Sequence, residues 1–263
     1  MKSIYVSALL CSLITGNLLF SAPSMAEQAH HSPHWHYQHQ EDWGVIEDIF
    51  YRPPYPFADC GIGQKQSPVN IEAAQAVSLP VFDAILPNYT EVPINLTNNG
   101  HTIRFNTQAG NLKIGLRHYQ LLQFHFHAPS EHLFNGQPYP MEIHFVNGSE
   151  DGRLAVIGVF IKEGQFNPDL QVILEQSPQE EGVTHDRSTP FTPQKLLPKN
   201  QSAFYTYAGS LTTPPCSEGV EWFVLHEPLE ASKEQIKLFT DQFYNGNARH
   251  EQKLNGRKLS AVK

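Results

Sequence analysis

An alternation of phenylalanine and histidine is the feature that most constrains the fold. The stretch Gln123-Phe124-His125-Phe126-His127 repeats every two residues, which is the period of a β-strand. On a strand, the two histidines share one face and the two phenylalanines share the other. The segment Glu142-Ile143-His144 has the same spacing and follows about two strand lengths later. The sequence therefore predicts a sheet that carries three histidines on one face.

Three imidazoles so placed predict a metal site with His125, His127 and His144 as its ligands. Zn²⁺ accepts three histidines and leaves its fourth tetrahedral position to water in catalytic sites. Gln123 and Glu142 each lie two positions before a ligand on the same strand face, so we expect their oxygens to hold the second nitrogens of those ligands. Spacing alone leaves two alternatives, which are structural histidines and a cupin-type site completed by a carboxylate and a further histidine.

The first residues predict export. Lys2 precedes an apolar run from about Ile4 to Phe20 and then Ser24-Met25-Ala26, which is the pattern of a secretory signal peptide over residues 1–26. An uncleaved anchor helix is the alternative, but the run contains Ser, Thr, Gly and Asn. We therefore expect an exported protein, periplasmic or otherwise secreted, with no membrane anchor after cleavage.

Two cysteines lie beyond this segment, at Cys60 and Cys216. An even pair in an oxidising compartment is usually bridged, so we expect a disulfide, with two free buried thiols as the alternative. An unstrained bridge across a loop of roughly 150 residues contributes about 4–5 kcal/mol in the chain-entropy model.

The rest of the chain predicts one domain. Residues 27–42 are polar and hold five histidines, which indicates a solvated terminus, with metal binding or proton buffering as the alternative. Residues 43–263 show no linker, charge block or repeat. The formal net charge of −8 and the lack of a basic run argue against nucleic-acid binding.

Short β-rich segments separated by Gly, Pro and Asn predict a mainly β domain. We expect a large, mostly antiparallel twisted central sheet of about ten strands with short peripheral helices, because the links are too short for repeated βαβ crossovers. Helices are predicted near Asp169–Glu175 and at Lys233–Tyr244, the second with Ser232 as its N-cap. Strands are predicted at Ile94–Leu96, Thr102–Asn106, Leu112–Ile114, Leu121–His127, Met141–Asn147, Ala155–Ile161 and Val220–His226.

Six motifs stand in the order seen in α-class carbonic anhydrases, and the chain resembles the bacterial, exported type of that family from about Trp35 to Arg257. They are Gln66–Ile71, Asn98–His101, Gln123–His127, Ser130–His132, Glu142–His144 and Tyr207–Cys216. The resemblance implies a zinc ion in a conical cleft of a twisted antiparallel sheet. It also implies reversible hydration of carbon dioxide to bicarbonate and a proton by attack of zinc-bound hydroxide.

The same resemblance implies roles for residues around the metal. Thr212 resembles the hydroxyl that donates its one proton to Glu131 and so accepts from the hydroxide. Thr213 resembles the residue that helps to hold bicarbonate. Five apolar positions resemble the wall that receives carbon dioxide, although each could equally be plain core: Val146, Val156, Leu211, Val220 and Trp222.

The resemblance also implies a proton exit at His101. Histidine has an unperturbed pKa near neutrality, and the turn-like segment around Asn99 suits a mobile, solvated imidazole. Tyr37 and Asn99 resemble the residues that order the water on this path. Arg104 departs from the family pattern, in which that cleft position is usually neutral. A cation there is expected to lower the pKa of the shuttle and slow proton transfer.

Two other functional classes compete with the enzyme. One is a non-catalytic binding domain of the same family, which occurs where a ligand histidine is lost, and the other is a periplasmic zinc carrier that uses the His-rich start. Glu131, Thr212 and all three ligand histidines are present, which favours the enzyme with carbon dioxide and bicarbonate as its small-molecule partners. Cys60 and Cys216 match the disulfide positions of bacterial members, and a homodimer is expected by analogy alone.

Overall fold

The structure is a computed structural model that describes residues 33–79, 82–243 and 245–263. The signal peptide predicted at 1–26 lies outside the described residues. The packed unit spans Pro33–Lys263 and thus begins before the boundary predicted at Trp43. Tyr37 and Trp43 explain this difference, because both are buried and pack edge-on against each other at 5.7 Å.

One thirteen-stranded sheet dominates the described residues, which form sixteen strands in all. The strands are β1 Asn70–Ile71, β2 Val77–Ser78, β3 Ile85–Asn88, β4 Val92–Asn98, β5 Ile103–Asn106, β6 Asn111–Ile114, β7 Arg117–His127, β8 Leu133–Phe134, β9 Gln137–Pro138, β10 Met141–Gly148, β11 Leu154–Glu163, β12 Thr184–Phe191, β13 Phe204–Ser210, β14 Glu218–Leu225, β15 Leu229–Ala231 and β16 Ser260–Val262. Strands β1, β8 and β9 form a separate small sheet.

The large sheet confirms the predicted mainly β, mostly antiparallel fold. Ten strands follow one another in the order β12-β4-β5-β7-β10-β11-β14-β13-β16-β2, and β3, β6 and β15 attach beside this path. Its parallel pairs are β11 with β14, β11 with β15, and β16 with β2. The count exceeds the predicted ten because strands as short as β2 and β15 leave no periodic signal in the sequence.

Both predicted helices are present, and side-chain capping explains where each of them begins. The asparagine Asn167 accepts hydrogen bonds from the first backbone amides of its helix, and Ser232 forms a capping box with Gln235. No helix among the described residues has the length and apolarity needed to cross a bilayer. The helices are α1 Asp59–Ile62, α2 Pro168–Gln176 and α3 Lys233–Gln242, with 3₁₀ helices at Tyr37–Val45 and Pro193–Leu196.

The phenylalanines of β7 enter the main core, as the alternation predicts. Phe124 and Phe126 are fully buried. Phe124 stacks on Phe105 at 4.7 Å, and Phe126 faces Phe239 of α3 at 5.9 Å. Burial of each such ring contributes about 1.5–3 kcal/mol. This packing holds the opposite face of β7, which carries the histidines, at a defined height and angle.

Candidate active site

The register of the central strands brings three histidines together. His125 on β7 lies directly opposite His144 on β10, and His127 lies opposite Glu142. Directly opposed residues in antiparallel strands project from the same face of the sheet. One nitrogen each from His125, His127 and His144 lies within 4.8 Å of the others. The three predicted ligands therefore form one cluster.

Two of the histidines have their second ring nitrogen occupied by an acceptor. His125 donates from Nδ1 to Oε1 of Gln123 at 2.8 Å, and His127 donates from Nδ1 to the carbonyl oxygen of Asn247 at 2.7 Å. An acceptor at Nδ1 fixes the tautomer and leaves the Nε2 lone pair available for a metal. Sequence reasoning identified Gln123 and missed Asn247, because a backbone carbonyl has no signature in residue type.

Glu142 contacts the third histidine. Its Oε1 lies 2.9 Å from Nε2 of His144, but the approach departs from the direction of a hydrogen bond, so the contact is mainly electrostatic. The backbone amides of Glu131 and His132 each donate to Oε2 at 2.9 Å. The Nδ1 atom of His132 lies 2.7 Å from Oε1. The sequence alone assigned no role to His132, although its position after Glu131 in a family motif was an available signal.

Burial and neighbouring charges set the protonation of this cluster. Burial holds the pKa of His125 and His127 below the ordinary value, so both are neutral near pH 7. Burial also opposes charge on His144, but the adjacent Glu142 outweighs it and raises the pKa of His144. Burial opposes charge on Glu142, and His132 and His144 outweigh it, so the pKa of Glu142 falls well below its usual range.

Glu131 lies beside the cluster with one oxygen in use. The backbone amide of Arg249 donates to Oε1 at 2.8 Å. Oε2 lies 3.4 Å from Nε2 of His127 and 3.7 Å from Nδ1 of His144, and it has no hydrogen-bond partner among the described residues. The bond expected from the Thr212 hydroxyl is therefore not formed, because Oε2 faces the imidazoles. Thr212 itself is buried.

His101 has a different environment from the one that the sequence predicts. Its backbone amide and that of Thr102 donate to Oδ1 of Asn99 at 3.0 and 2.8 Å, which confirms the turn but occupies the side-chain oxygen of Asn99. The imidazole stacks on Trp35 with centroids 3.6 Å apart and is half-buried. Burial, with repulsion from His34, lowers the pKa of His101 to about 4. The expected freely solvated imidazole is wrong for this conformation, because Trp35 covers it.

Tyr37 lies near His101, with ring centroids 6.3 Å apart. Its hydroxyl is buried and has no hydrogen-bond partner among the described residues. Burial, assisted by the charge of Glu131, raises the pKa of Tyr37 well above its ordinary value. Tyr37 therefore stays protonated at neutral pH and offers a donor near Glu131.

The five apolar positions predicted to form a wall do come together. Val146 lies opposite Val156 in the register of β10 and β11, and Val156 lies opposite Trp222 in that of β11 and β14. Four of them are almost fully buried, whereas Leu211 is half-buried. All five pack in a single apolar cluster: Val146, Val156, Leu211, Val220 and Trp222.

The predicted disulfide between Cys60 and Cys216 is formed. Cys216 adopts a left-handed backbone conformation with φ of 57°, and its amide donates to the carbonyl oxygen of Thr213 at 2.9 Å. The bridge thus ties the turn after Thr212 and Thr213 to helix α1. Cysteine pairing was readable from the sequence, but this turn geometry was not.

Another group of potential metal ligands lies at the surface. His39, Glu41 and Asp42 are exposed and bring ligand atoms within 4.8 Å of one another. His39 has non-helical dihedrals inside the first 3₁₀ helix. Exposed groups of this kind hold metals weakly unless a structure fixes them, because their ligands lose conformational entropy on binding.

Comparisons with known proteins agree with this geometry. Residues 52–263 match the family model described as eukaryotic-type carbonic anhydrase. A carbonic anhydrase of Nostoc sp. is 42% identical over 221 residues, which cover 82% of this chain and 80% of the relative. A carbonic anhydrase of Pectobacterium atrosepticum is 39% identical, with 91% and 95% covered. The α-carbonic anhydrase of Thermovibrio ammonificans, solved with the inhibitor sulfanilamide, superposes with a TM-score of 0.81 at 40% identity, covering 86% of this chain and 98% of that one.

Proposed function

The chain belongs to the α-carbonic anhydrase family, and from that premise we propose that it hydrates carbon dioxide reversibly with zinc held by His125, His127 and His144. The observation that carries this proposal is the cluster of three imidazole nitrogens within 4.8 Å of one another. Two of the three rings also have a fixed tautomer, through Gln123 and Asn247.

The donor set fits zinc. Imidazole nitrogens suit this ion, and three protein ligands are typical of catalytic rather than structural zinc sites. The buried Nε2 of His127 has no hydrogen-bond partner among the described residues, which agrees with a role as a ligand. When bound, zinc would supply a nucleophile at neutral pH by lowering the pKa of a coordinated water. The pKa of about 7 known for such water belongs to carbonic anhydrases themselves, so it is not an independent prediction for this chain.

We propose that Glu131 and Thr212 orient the attacking oxygen. Oε2 of Glu131 has capacity for one more donor, and a threonine hydroxyl has one proton to give. If Thr212 donates to Glu131, its oxygen can only accept from the nucleophile, which directs a lone pair of the nucleophile to the substrate. Thr213 follows in the same tethered turn and would hold bicarbonate.

Carbon dioxide is apolar, so its binding place should be apolar as well. We propose that the cluster around Leu211 receives it, because Leu211 is half-buried while the other members are almost fully buried. Trp222 donates from its indole nitrogen to the carbonyl oxygen of Ser210 at 3.0 Å. This bond satisfies the one polar atom of Trp222 and leaves its apolar ring surface for packing and substrate.

We propose that His101 passes the released proton toward solvent, with Tyr37 and Asn99 ordering water on the path. A base with a pKa of about 4 accepts a proton poorly at pH 7. Transfer through His101 therefore requires the imidazole to leave Trp35 and regain a more ordinary pKa. The turn uses only the side-chain oxygen of Asn99, so within the described part of the chain its amide donors are available to water.

We propose a periplasmic location, because the disulfide favours an oxidising compartment outside the cytoplasm. Fractionation of a bacterial host should place the mature chain outside the cytoplasm and show cleavage after Ala26. Sedimentation of the purified protein tests the proposed homodimer.

Stopped-flow hydration of carbon dioxide tests the proposed function. The zinc-loaded chain should be active, and chelator treatment or the substitution His144→Ala should abolish most of the activity. Full hydration by the metal-free protein or by the variant would overturn the zinc mechanism. A folded, zinc-loaded chain without activity would support the non-catalytic binding domain instead.

A further inference from the structure

Arg104 is a cation on the catalytic face of the sheet. It lies on β5 directly opposite His125 on β7, and opposite Thr97 on β4. Opposed residues share a face in antiparallel strands, so the guanidinium extends on the side that carries the histidine cluster. Arg104 is half-buried, and its Nε is fully buried.

This guanidinium has no counter-ion in the part of the chain that the structure describes. No carboxylate forms an ion pair with Arg104 among the described residues, and its Nε has no hydrogen-bond partner there. By contrast, Arg117 pairs with Glu221. The guanidinium of Arg249 donates to Gln66 and to two backbone carbonyl oxygens. Among the described residues, Arg104 therefore lacks the kind of partners that Arg117 and Arg249 have.

The polar neighbours of Arg104 form hydrogen bonds with one another. Asn106, two residues along β5, donates to the side-chain oxygens of Asn95 and Thr97 at 2.7 and 2.9 Å. Thr97 also shares a hydrogen bond with Thr184 at 2.8 Å. These neutral side chains use their hydrogen bonds among themselves, so the planar guanidinium of Arg104 remains available to an external acceptor. Planar guanidinium forks match the oxygens of carboxylate and phosphate.

The histidine proton exit near this cation is restrained. The His101 imidazole is stacked on Trp35 and lies beside His34, at 6.5 Å between ring centroids. A proton on either histidine repels a proton on the other. An anionic proton acceptor does not meet this repulsion, because the positive charge of Arg104 attracts it.

We infer that Arg104 forms a subsite for a small oxyanion that accepts the proton released by hydration, with hydrogen phosphate as the probe. The balanced reaction is CO₂ + H₂O + HPO₄²⁻ → HCO₃⁻ + H₂PO₄⁻. The bonds broken are one O–H bond of water and the π bond of one C=O group of carbon dioxide, and the bonds formed are C–O in bicarbonate and O–H in phosphate. Dihydrogen phosphate carries one negative charge fewer than hydrogen phosphate, so Arg104 holds it less tightly and it leaves. This inference rests on the proposed function.

Binding of phosphate to the zinc-loaded chain tests the subsite without measuring catalysis. Titration by calorimetry at constant ionic strength should show saturable binding that weakens about tenfold or more in Arg104→Gln, because the charged fork is lost. Arg104→Lys should retain part of the affinity. The matched control is Arg187→Gln, which removes the same charge from an exposed position on β12 and should bind as the native chain does. Equal affinity in Arg104→Gln and the native chain would overturn the subsite. Phosphate that binds only to zinc would give this result, because its affinity would not depend on Arg104.

Rates in two buffers test the proton-transfer step. The ratio of the hydration rate in phosphate to that in imidazole should fall several-fold in Arg104→Gln and stay unchanged in Arg187→Gln. Phosphate that binds through Arg104 but slows hydration would overturn the transfer step. Absence of hydration by the native chain in both buffers would contradict the proposed function, whereas the binding experiment would still judge the subsite. Circular dichroism confirms that each variant is folded.

Discussion

The histidine cluster and the proposed proton exit at His101 use the same type of side chain under different constraints. His125, His127 and His144 stand on central strands, and register and second-nitrogen contacts fix their positions. His101 stands in the turn between β4 and β5, and one stacked ring, Trp35, covers it. Sheet register can therefore place three histidines together, whereas the basicity of the half-buried His101 imidazole depends on tertiary contacts, including its burial against Trp35 and the nearby His34.

The largest effect should follow removal of a ligand. The substitution His127→Ala should release zinc and lower the rate of carbon dioxide hydration by roughly 1000-fold or more. The two imidazoles that remain are too few to hold the ion that activates water. Zinc analysis by mass spectrometry and stopped-flow kinetics measure both effects. His118→Ala is the matched control, since His118 is exposed on the same strand. Retained zinc and activity in His127→Ala would contradict the proposed ligand set.

Removal of the acceptor behind a ligand should have an intermediate effect. Gln123→Ala deletes the oxygen that holds Nδ1 of His125, and zinc affinity should fall about 10- to 100-fold. Competition with a chromophoric chelator measures this affinity. Gln120→Ala, at an exposed position on β7, should leave it unchanged. Equal affinities in the two variants would show that Gln123 does not position the ligand.

The disulfide should matter more for activity than for the sheet. Reduction frees the turn that carries Thr212 and Thr213, and displacement of positioning groups costs roughly 10-fold or more in rate. Activity should therefore fall before far-ultraviolet circular dichroism changes. Loss of both signals on one time course would contradict this prediction. The double substitution of Cys60→Ser and Cys216→Ser should reproduce the reduced state.

The smallest effect should follow uncovering of His101. Trp35→Ala removes the ring stacked on His101, so the pKa of His101 should rise from about 4 toward its ordinary value of 6.5. Proton NMR titration of the imidazole measures it. An unchanged pKa would show that Trp35 does not control this imidazole.

The lowered pKa of His101 also has a consequence for stability. The folded pKa lies below the unfolded one, so the unfolded chain binds more protons between pH 4 and 6.5. The free energy of unfolding should therefore fall as pH decreases through this window. Because His101 is only half-buried, we expect about 1–2 kcal/mol. Denaturant unfolding at several pH values should show this dependence weakened in His101→Asn.

The sequence was sufficient for features that depend on local periodicity. The alternation in β7 predicted both the buried phenylalanines and the shared face of the histidines, and Ser232 predicted the start of α3. It was insufficient for contacts between distant segments. The carbonyl oxygen of Asn247 and the ring of Trp35 reach their histidines through tertiary folding, and neither leaves a periodic signal.

Anomalous X-ray diffraction at the zinc edge tests the proposed metal centre most directly. We predict one strong peak among Nε2 of His125, Nε2 of His127 and Nδ1 of His144 in crystals of the active protein. Nδ1 is the expected atom of His144 because its Nε2 faces Glu142. A peak confined to the exposed group of His39, Glu41 and Asp42, with none at the three histidines, would contradict the proposed zinc site.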